Sequence, residues 1–199
     1  EYSMEFIEEY LKGEHKEKDK KTKEFEVLLQ EAGIDLTYQY FLHEYKGNGN
    51  DDVFGIVIDR DYHSHSVSQM KGIVSQCKKK DYNCYITTPL FEFWLLMHLV
   101  DINEAYAGKM DKFVVNENVT DKHTFTSKEV SEIAKHSKTI GEKKFLEYYL
   151  PKVDFAIKQA EKNFTMDVDE LIGNDSSQLA KMGKLGTNIP ELFDLLRKS

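Results

Sequence analysis

Residues 53–61 read Val-Phe-Gly-Ile-Val-Ile-Asp-Arg-Asp, a short β-branched run that ends in two carboxylates one residue apart. Such a run predicts a strand that is buried on both faces, as in a parallel sheet covered by helices. Asp59 and Asp61 follow its apolar part, at the edge where open α/β sheets bind ligands. Because residues i and i+2 of an extended chain project to the same side, we expect both acids to face one cation. The alternative is that Asp61 caps the next helix and Asp59 is a solvated acid.

A helix, a second strand and an apolar helix are predicted directly after this first strand. Residues 66–80 carry one apolar helical face, and residues 82–86 resemble a short strand. Thr88 is the expected cap and Pro89 the expected first residue of a helix that continues to Leu99. This alternation of strands and helices predicts an α/β fold with right-handed crossovers.

Two parallel neighbouring strands bring several polar side chains to one edge of the sheet. The residues expected at that edge are Asp59, Asp61, His63, Thr87, Thr88 and Glu92. Glu92 falls in an apolar helix, where a buried carboxylate needs a partner. That partner could be a cation held by the two aspartates, Arg60, or His98. Three hard oxygen ligands favour Mg²⁺ or Mn²⁺ over zinc, so Asp59, Asp61 and Glu92 are the candidate metal ligands.

The remaining candidate residues would contact substrate. They are His63, Arg60 and Thr88, although a histidine in a loop is more often an ordinary surface residue. The single tryptophan, Trp94, is expected in the core.

Elsewhere the sequence predicts mainly helices. Residues 15–24 form a run of mixed charge that is either a solvated helical face or a loop. The other expected features are a Ser3 cap before a first helix, a helix at 25–32, strands at 34–44 and 112–115, two helical stretches broken at Pro151, a helix at 168–172, and a capping box at 188–191 that opens the last helix.

Composition limits the possible functions. The chain has 199 residues, enough for one core or for one core with an appendage. Its net charge of −8 argues against a stand-alone nucleic-acid binder, but a metal-dependent nuclease needs an acidic centre. Two cysteines without a C-x-x-C pair indicate a reducing compartment. No apolar run is long enough to span a membrane, so we expect a cytoplasmic protein.

Residues 87–98, Thr-Thr-Pro-Leu-Phe-Glu-Phe-Trp-Leu-Leu-Met-His, resemble a conserved stretch of the RloB family. Residues 56–61 are similar to that family's strand ending in D-x-D, and residues 186–196 are similar to its closing segment. The resemblance implies a Toprim-like (Rossmann-like) central parallel sheet flanked by helices. It places that core at residues 1–100, with an insertion and a helical C-terminal part at 101–199.

The resemblance also implies an activity and partners. The family is inferred to contain Mg²⁺-dependent nucleases of prokaryotic antiviral defence, often encoded beside an ABC-type or AAA-type ATPase. Asp59 and Asp61 match the Toprim D-x-D, and Glu92 matches the glutamate of the F-E-x-W motif. A Toprim domain also has a glutamate after its first strand. Residues 2–5 resemble the end of that turn, so Glu1 or a residue upstream of it is expected in that role.

Three functions are consistent with these patterns. The first is a Mg²⁺- or Mn²⁺-dependent nuclease, for which DNA and RNA substrates both stay open. The second is a non-catalytic sensor or scaffold subunit of an ATPase complex, suggested by the acidic net charge and the incomplete acidic set. The third, a regulatory nucleotide-binding domain, lacks a Gly-rich phosphate loop after a strand. A homo-oligomer is also compatible with the sequence.

Overall fold

The computed structural model describes residues 3–11, 20–33, 53–135 and 140–198. It divides into two compact units, residues 1–53 and 54–199. Glu1 and the strand predicted at 34–44 lie outside the described residues. No helix within the described ranges is long and apolar enough to cross a membrane.

The described part of the first unit consists of two helices. Helix α1 spans Met4–Leu11, and helix α2 spans Lys20–Ala32. The Ser3 hydroxyl accepts a hydrogen bond from the Phe6 amide at 3.3 Å, as a cap does, so the predicted Ser3 cap is confirmed. The ring of Phe25 is in edge contact with that of Phe6, and the two centroids are 5.3 Å apart. Because α2 begins at Lys20, residues 20–24 of the charged run at 15–24 are helical.

The second unit contains short strands and many short helices. Its first half comprises β1 (Gly55–Asp59), α3 (Val67–Lys79), β2 (Asn83–Thr88), α4 (Phe91–Leu99), α5 (Ile102–Ala105) and α6 (Met110–Val115). Its second half comprises β3 (Asn118–Thr120), β4 (His123–Thr124), α7 (Phe125–Ala134), α8 (Glu142–Lys144), α9 (Val153–Asn163), α10 (Val168–Ile172), α11 (Gln178–Lys181), β5 (Gly186–Thr187) and α12 (Pro190–Lys198).

The main sheet has the order β1-β2-β5. Strands β1 and β2 are parallel neighbours, with Asp59 opposite Thr87, which confirms the predicted pairing. Strand β5 runs antiparallel to β2. The described residues thus form a small mixed sheet, and the extended parallel sheet of a complete Toprim or Rossmann fold is not seen among them.

The side chain of Asn188 extends the sheet beyond β5. Its Oδ1 accepts a hydrogen bond from the Ile86 amide at 2.7 Å, and its Nδ2 donates to the Cys84 carbonyl at 3.0 Å. An amide side chain thereby replaces a strand residue beside β2. The capping box expected at 188–191 is therefore wrong in this respect: a helix does begin at Pro190, but the side-chain Oδ1 of Asn188 accepts from the Ile86 amide, and it is the Asn188 backbone carbonyl that accepts from the Glu191 amide.

Helix α4 lies at the centre of the larger core because apolar residues cover its whole circumference. Trp94 is only 3% exposed, which confirms that it belongs to the core. A smaller core lies between the sheet and helices α3 and α10, and it contains Ile86. The neighbouring Tyr85 belongs to the larger core, as the alternation of side chains along a strand requires. The larger core contains residues from both sides of position 100. The domain boundary that was predicted there stays a prediction.

Three local predictions are wrong. Residues 112–115 are helical, because Phe113 packs into the core at a helical position of α6. Thr88 ends β2 and does not cap a helix; α4 begins at Phe91, after a cis Thr88–Pro89 bond. Strand β1 is not buried on both faces, because Val57 is 50% exposed. The predicted break at Pro151 is confirmed as an irregular turn between α8 and α9.

Candidate active site

Asp59 is the last residue of β1 and lies beside the start of α4. Its Oδ1 accepts a hydrogen bond of 2.7 Å from the amide of Phe91, the first residue of that helix. A helix N-terminus has unpaired amides and a partial positive charge, so a carboxylate is favourable there. Asp59 therefore caps α4 from a different part of the chain, a role that the sequence pattern had assigned to Thr88.

The environment of Asp59 disfavours its negative charge. Burial is the largest cause and raises its pKa from 3.8 to about 6, although the Phe91 amide opposes the rise. The negative charges of Glu92 and Asp61 raise the pKa further, and His65 lowers it slightly. Asp59 is thus close enough to both Glu92 and Asp61 for their charges to repel its own.

Asp61 begins the loop that joins β1 to α3. Its Oδ2 accepts a hydrogen bond from the Ser64 hydroxyl at 2.7 Å, and its Oδ1 accepts one from the His63 amide at 3.1 Å. Its backbone carbonyl accepts from the amides of Ser64 and His65. The helix that follows has its own cap, because Ser66 and Gln69 form a capping box. Asp61 therefore folds its own loop and does not cap α3.

Glu92 occupies the first turn of α4, where it is half-buried. The sequence had placed it inside a buried helix, with a partner needed for its charge. Its position at the N-terminus corrects this expectation, since the helix dipole favours an acid there and water can reach it. Glu92 nevertheless lies within electrostatic reach of Asp59.

Arg60 is only 1% exposed, and its guanidinium lies within electrostatic reach of Asp61. Its guanidinium donates hydrogen bonds to the carbonyls of Ile172 (2.7 Å), His65 (2.8 Å) and Lys181 (2.5 Å). These bonds fasten the loop after β1 to α10 and α11. All three guanidinium nitrogens thus have protein partners, and the contact of Arg60 with substrate stays a prediction.

Thr88 and His63 also have protein partners. The Thr88 hydroxyl is buried and donates to the Leu171 carbonyl at 2.9 Å. His63 is exposed, its ring lies 4.0 Å from that of Tyr62, and its Nε2 is 3.1 Å from the Val115 carbonyl. Their contact with substrate stays a prediction. The exposed loop position makes His63 the more accessible of the two.

The acids meet the chemical requirements of a hard dication only in part. Within the described ranges, no three histidine, cysteine, aspartate or glutamate side chains form a ready-made metal-ligand group. The donors themselves are suitable, because carboxylate oxygens are the preferred ligands of Mg²⁺. Among the described residues, Asp59 Oδ2 and both oxygens of Glu92 have no hydrogen bond. Side-chain rotations would therefore have to bring free oxygens together around one ion.

Sequence reasoning did not assign the supporting groups of this site. Ser64 orients Asp61, and the Phe91 amide orients Asp59. His65, which the charge distribution places near Asp59, follows that residue by six positions in a loop, a spacing with no regular signal. The serine three residues after Asp61 was a usable sign, because aspartate and serine side chains often stabilise turns in this way.

Comparison with known proteins gives one result. No curated protein and no solved structure matches the chain. A family model described as RloB-like protein matches residues 3–196, nearly the whole sequence. The match includes the strand that ends at Asp59, the start of α4 and the closing segment with Asn188. The chain therefore belongs to the RloB-like protein family.

Proposed function

We propose that this protein is a Mg²⁺- or Mn²⁺-dependent nuclease that cleaves phosphodiester bonds in DNA or RNA. The observation that supports this function best is the repulsion of Asp59, at the carboxyl end of β1, by two neighbouring carboxylates. Glu92 and Asp61 both raise the pKa of Asp59, the opposing effect of His65 is smaller, and the Arg60 guanidinium donates its hydrogen bonds to carbonyls. A divalent cation would remove this repulsion.

Asp59, Asp61 and Glu92 are the residues that would hold the metal. When bound, the metal supplies positive charge that stabilises a phosphodiester in its transition state. The protein's own groups set the orientation: the Phe91 amide fixes Asp59, and the Ser64 hydroxyl fixes Asp61.

Family membership supports a setting for this activity. We propose that the protein acts in the prokaryotic cytoplasm, in antiviral defence, together with an ABC-type or AAA-type ATPase. The ATPase would control access to nucleic acid or trigger cleavage. Glu1, or a glutamate upstream of it, would complete the acidic set.

A cleavage assay with the full chain tests the proposal. Labelled single- and double-stranded DNA and RNA are incubated with Mg²⁺, with Mn²⁺ or with EDTA. Asp59→Asn keeps an acceptor for the Phe91 amide but removes the charge, and we expect cleavage to fall at least about 100-fold. Glu161→Gln, an exposed change on α9, is the matched control. Undiminished metal-dependent cleavage by the Asp59 variant would show that this carboxylate centre does not carry the activity and would overturn the proposal.

A non-catalytic scaffold or sensor subunit is the second candidate. It is favoured by the hydrogen bonds that already occupy Asp59 Oδ1 and both Asp61 oxygens, since such bonds also serve a purely structural role. Calorimetry separates the two functions. Heat of Mg²⁺ or Mn²⁺ binding that disappears in the Asp59 variant supports the nuclease. Binding to an ATPase without any divalent-cation binding supports the scaffold.

A further inference from the structure

A cavity of about 410 Å³ lies at the end of α4 opposite to the carboxylates. Leu99, the last residue of α4, forms part of its wall. Three lysines and one tyrosine also line it: Lys135, Lys144, Lys152 and Tyr148. No carboxylate lines this cavity in the part of the chain that the structure describes. In a protein with a net charge of −8, three lysines around one acid-free cavity form a distinct cationic site.

The charges of these lysines are not neutralised within the described part of the protein. Other lysines there do form ion pairs, for example Lys128 with Glu132 and Lys184 with Glu170. Lys135, Lys144 and Lys152 have no ion pair or hydrogen bond from their side chains among the described residues. The charge of Lys152 contributes slightly to the low pKa of His98, about 4, for which burial is the main cause.

The backbone around the cavity is irregular. Residues Phe145–Tyr149 form a π-helical turn, and Leu150–Lys152 form a 3₁₀ turn directly after it. π-Helical turns are rare and occur frequently at functional sites. This turn lies between Lys144 and Lys152 and carries Tyr148, whose side chain is 43% exposed. An aromatic ring is thereby placed among three free cations.

We propose that this cavity binds an unpaired segment of nucleic acid, with the lysines at its phosphates and Tyr148 stacked on a base. Sites for single strands combine a positively charged groove with aromatic rings in this way. This proposal extends the proposed nuclease function. It rests on that function in one respect only, namely that the bound strand is the substrate that is cleaved. The carboxylates lie at the start of α4, near Phe91, and the cavity lies at its end, near Leu99. The eight residue steps between these two positions span about 12 Å along the helix.

A protein partner is the competing occupant. The same segment exposes Phe145, Leu146 and Leu150, each by 38–50%. Apolar side chains of this kind also occur at contacts between proteins. The free lysines favour the nucleic acid, because an apolar contact does not require three unpaired cations at its edge.

The test measures binding by fluorescence anisotropy, with EDTA present so that no cleavage occurs. The probes are labelled 20-nucleotide single-stranded DNA and RNA of mixed sequence. The site variant of the full chain carries K135Q, K144Q and K152Q. The matched control removes the same charge from exposed lysines elsewhere in the second unit and carries K71Q, K158Q and K162Q. Circular dichroism and Trp94 fluorescence verify that both variants are folded.

We expect the site variant to bind at least about tenfold more weakly than the control variant at low salt. Each phosphate contact contributes about 0.7 to the slope of log Kobs against log salt concentration. The loss of the three lysine contacts should therefore make this slope shallower by about 2. Tyr148→Ala should weaken binding at least about fivefold, whereas Tyr148→Phe should bind like the wild type.

Equal loss of affinity in the site and control variants would overturn the proposal, as would wild-type protein that binds neither probe. A site variant that keeps its affinity but changes its mass in solution would assign the surface to contact between two copies, and also overturns it. The outcome for the nuclease is separate. Lysine-dependent binding without metal-dependent cleavage would support this binding site and refute the nuclease function. Metal-dependent cleavage together with unchanged binding by the site variant would support the nuclease function and refute this binding site.

Discussion

Replacing Asp59 by asparagine should stabilise the metal-free protein at neutral pH. Burial and two neighbouring carboxylates raise the pKa of Asp59 from 3.8 to about 6, so its ionisation destabilises the folded state. Between these values the folded protein binds more protons than the unfolded chain, and stability falls as the pH rises from 3.8 to about 6. The asparagine variant has no such loss, yet it keeps an acceptor for the Phe91 amide.

The size of the effect follows from the pKa difference. At about 1.4 kcal/mol for each tenfold change in the proton equilibrium, the full cost of ionising Asp59 is about 3 kcal/mol. Because Asp59 is not completely buried, solvent screening reduces the expected gain to about 2 kcal/mol at pH 7.5. The difference between variant and wild type should be close to zero at pH 3.8 and below. Saturating Mg²⁺ should stabilise the wild type and not the variant.

Urea unfolding at several pH values in EDTA measures this difference. Trp94 is the only tryptophan and is buried in the second unit, so its fluorescence reports the unit that contains Asp59. His98 titrates in the same range with the opposite sign, because its pKa is lowered from 6.5 to about 4. Only the difference between the two proteins therefore isolates Asp59. Asp194→Asn, an exposed change on α12, provides the control. Parallel stability curves for wild type and the Asp59 variant from pH 4 to 8 would refute the reasoning.

Three further changes test the frame of the site, each by urea unfolding followed through Trp94. Arg60→Lys should cost at least about 3 kcal/mol, since one ammonium cannot satisfy three separated carbonyls, and a loss below about 1 kcal/mol would contradict this role. Gly183→Ala should destabilise the protein by several kcal/mol, because the φ angle of Gly183 is +77° and a Cβ there would lie 2.0 Å from a carbonyl oxygen. Gly72→Ala, which adds a methyl group in open space within α3, should stabilise the protein by about 0.5–1 kcal/mol. Equal effects of the two substitutions would refute this contrast. Asn188→Ala should cost about 2 kcal/mol by leaving two β2 backbone groups unpaired, and wild-type stability would show that water replaces the amide.

The sequence identified the elements with strong local signals. Strand β1, helix α3 and strand β2 were each predicted to within about two residues, because their apolar patterns and bounding turns agree. Parallel pairing of β1 and β2 followed from the intervening helix. Those two inferences were sufficient to bring Asp59, Asp61 and Glu92 to one region of the molecule.

The remaining features depend on contacts between distant parts of the chain. Asn188 pairs with β2 across about one hundred residues, and no pattern near either segment encodes that bond. The three carbonyls that bind Arg60 are likewise backbone groups, which carry no side-chain signature. The strand predicted at residues 112–115 from their local β-branched composition was wrong, because burial of Phe113 favours a helix there.

The anchoring of Arg60 has a consequence for biosynthesis. The residue next to both aspartates is held by carbonyl groups of Ile172 and Lys181, which leave the ribosome more than one hundred residues later. A nascent chain, or a fragment that stops before those positions, already contains every carboxylate of the candidate centre but not its scaffold. Translation itself would thus delay assembly of the candidate centre until Ile172 and Lys181 have been synthesised.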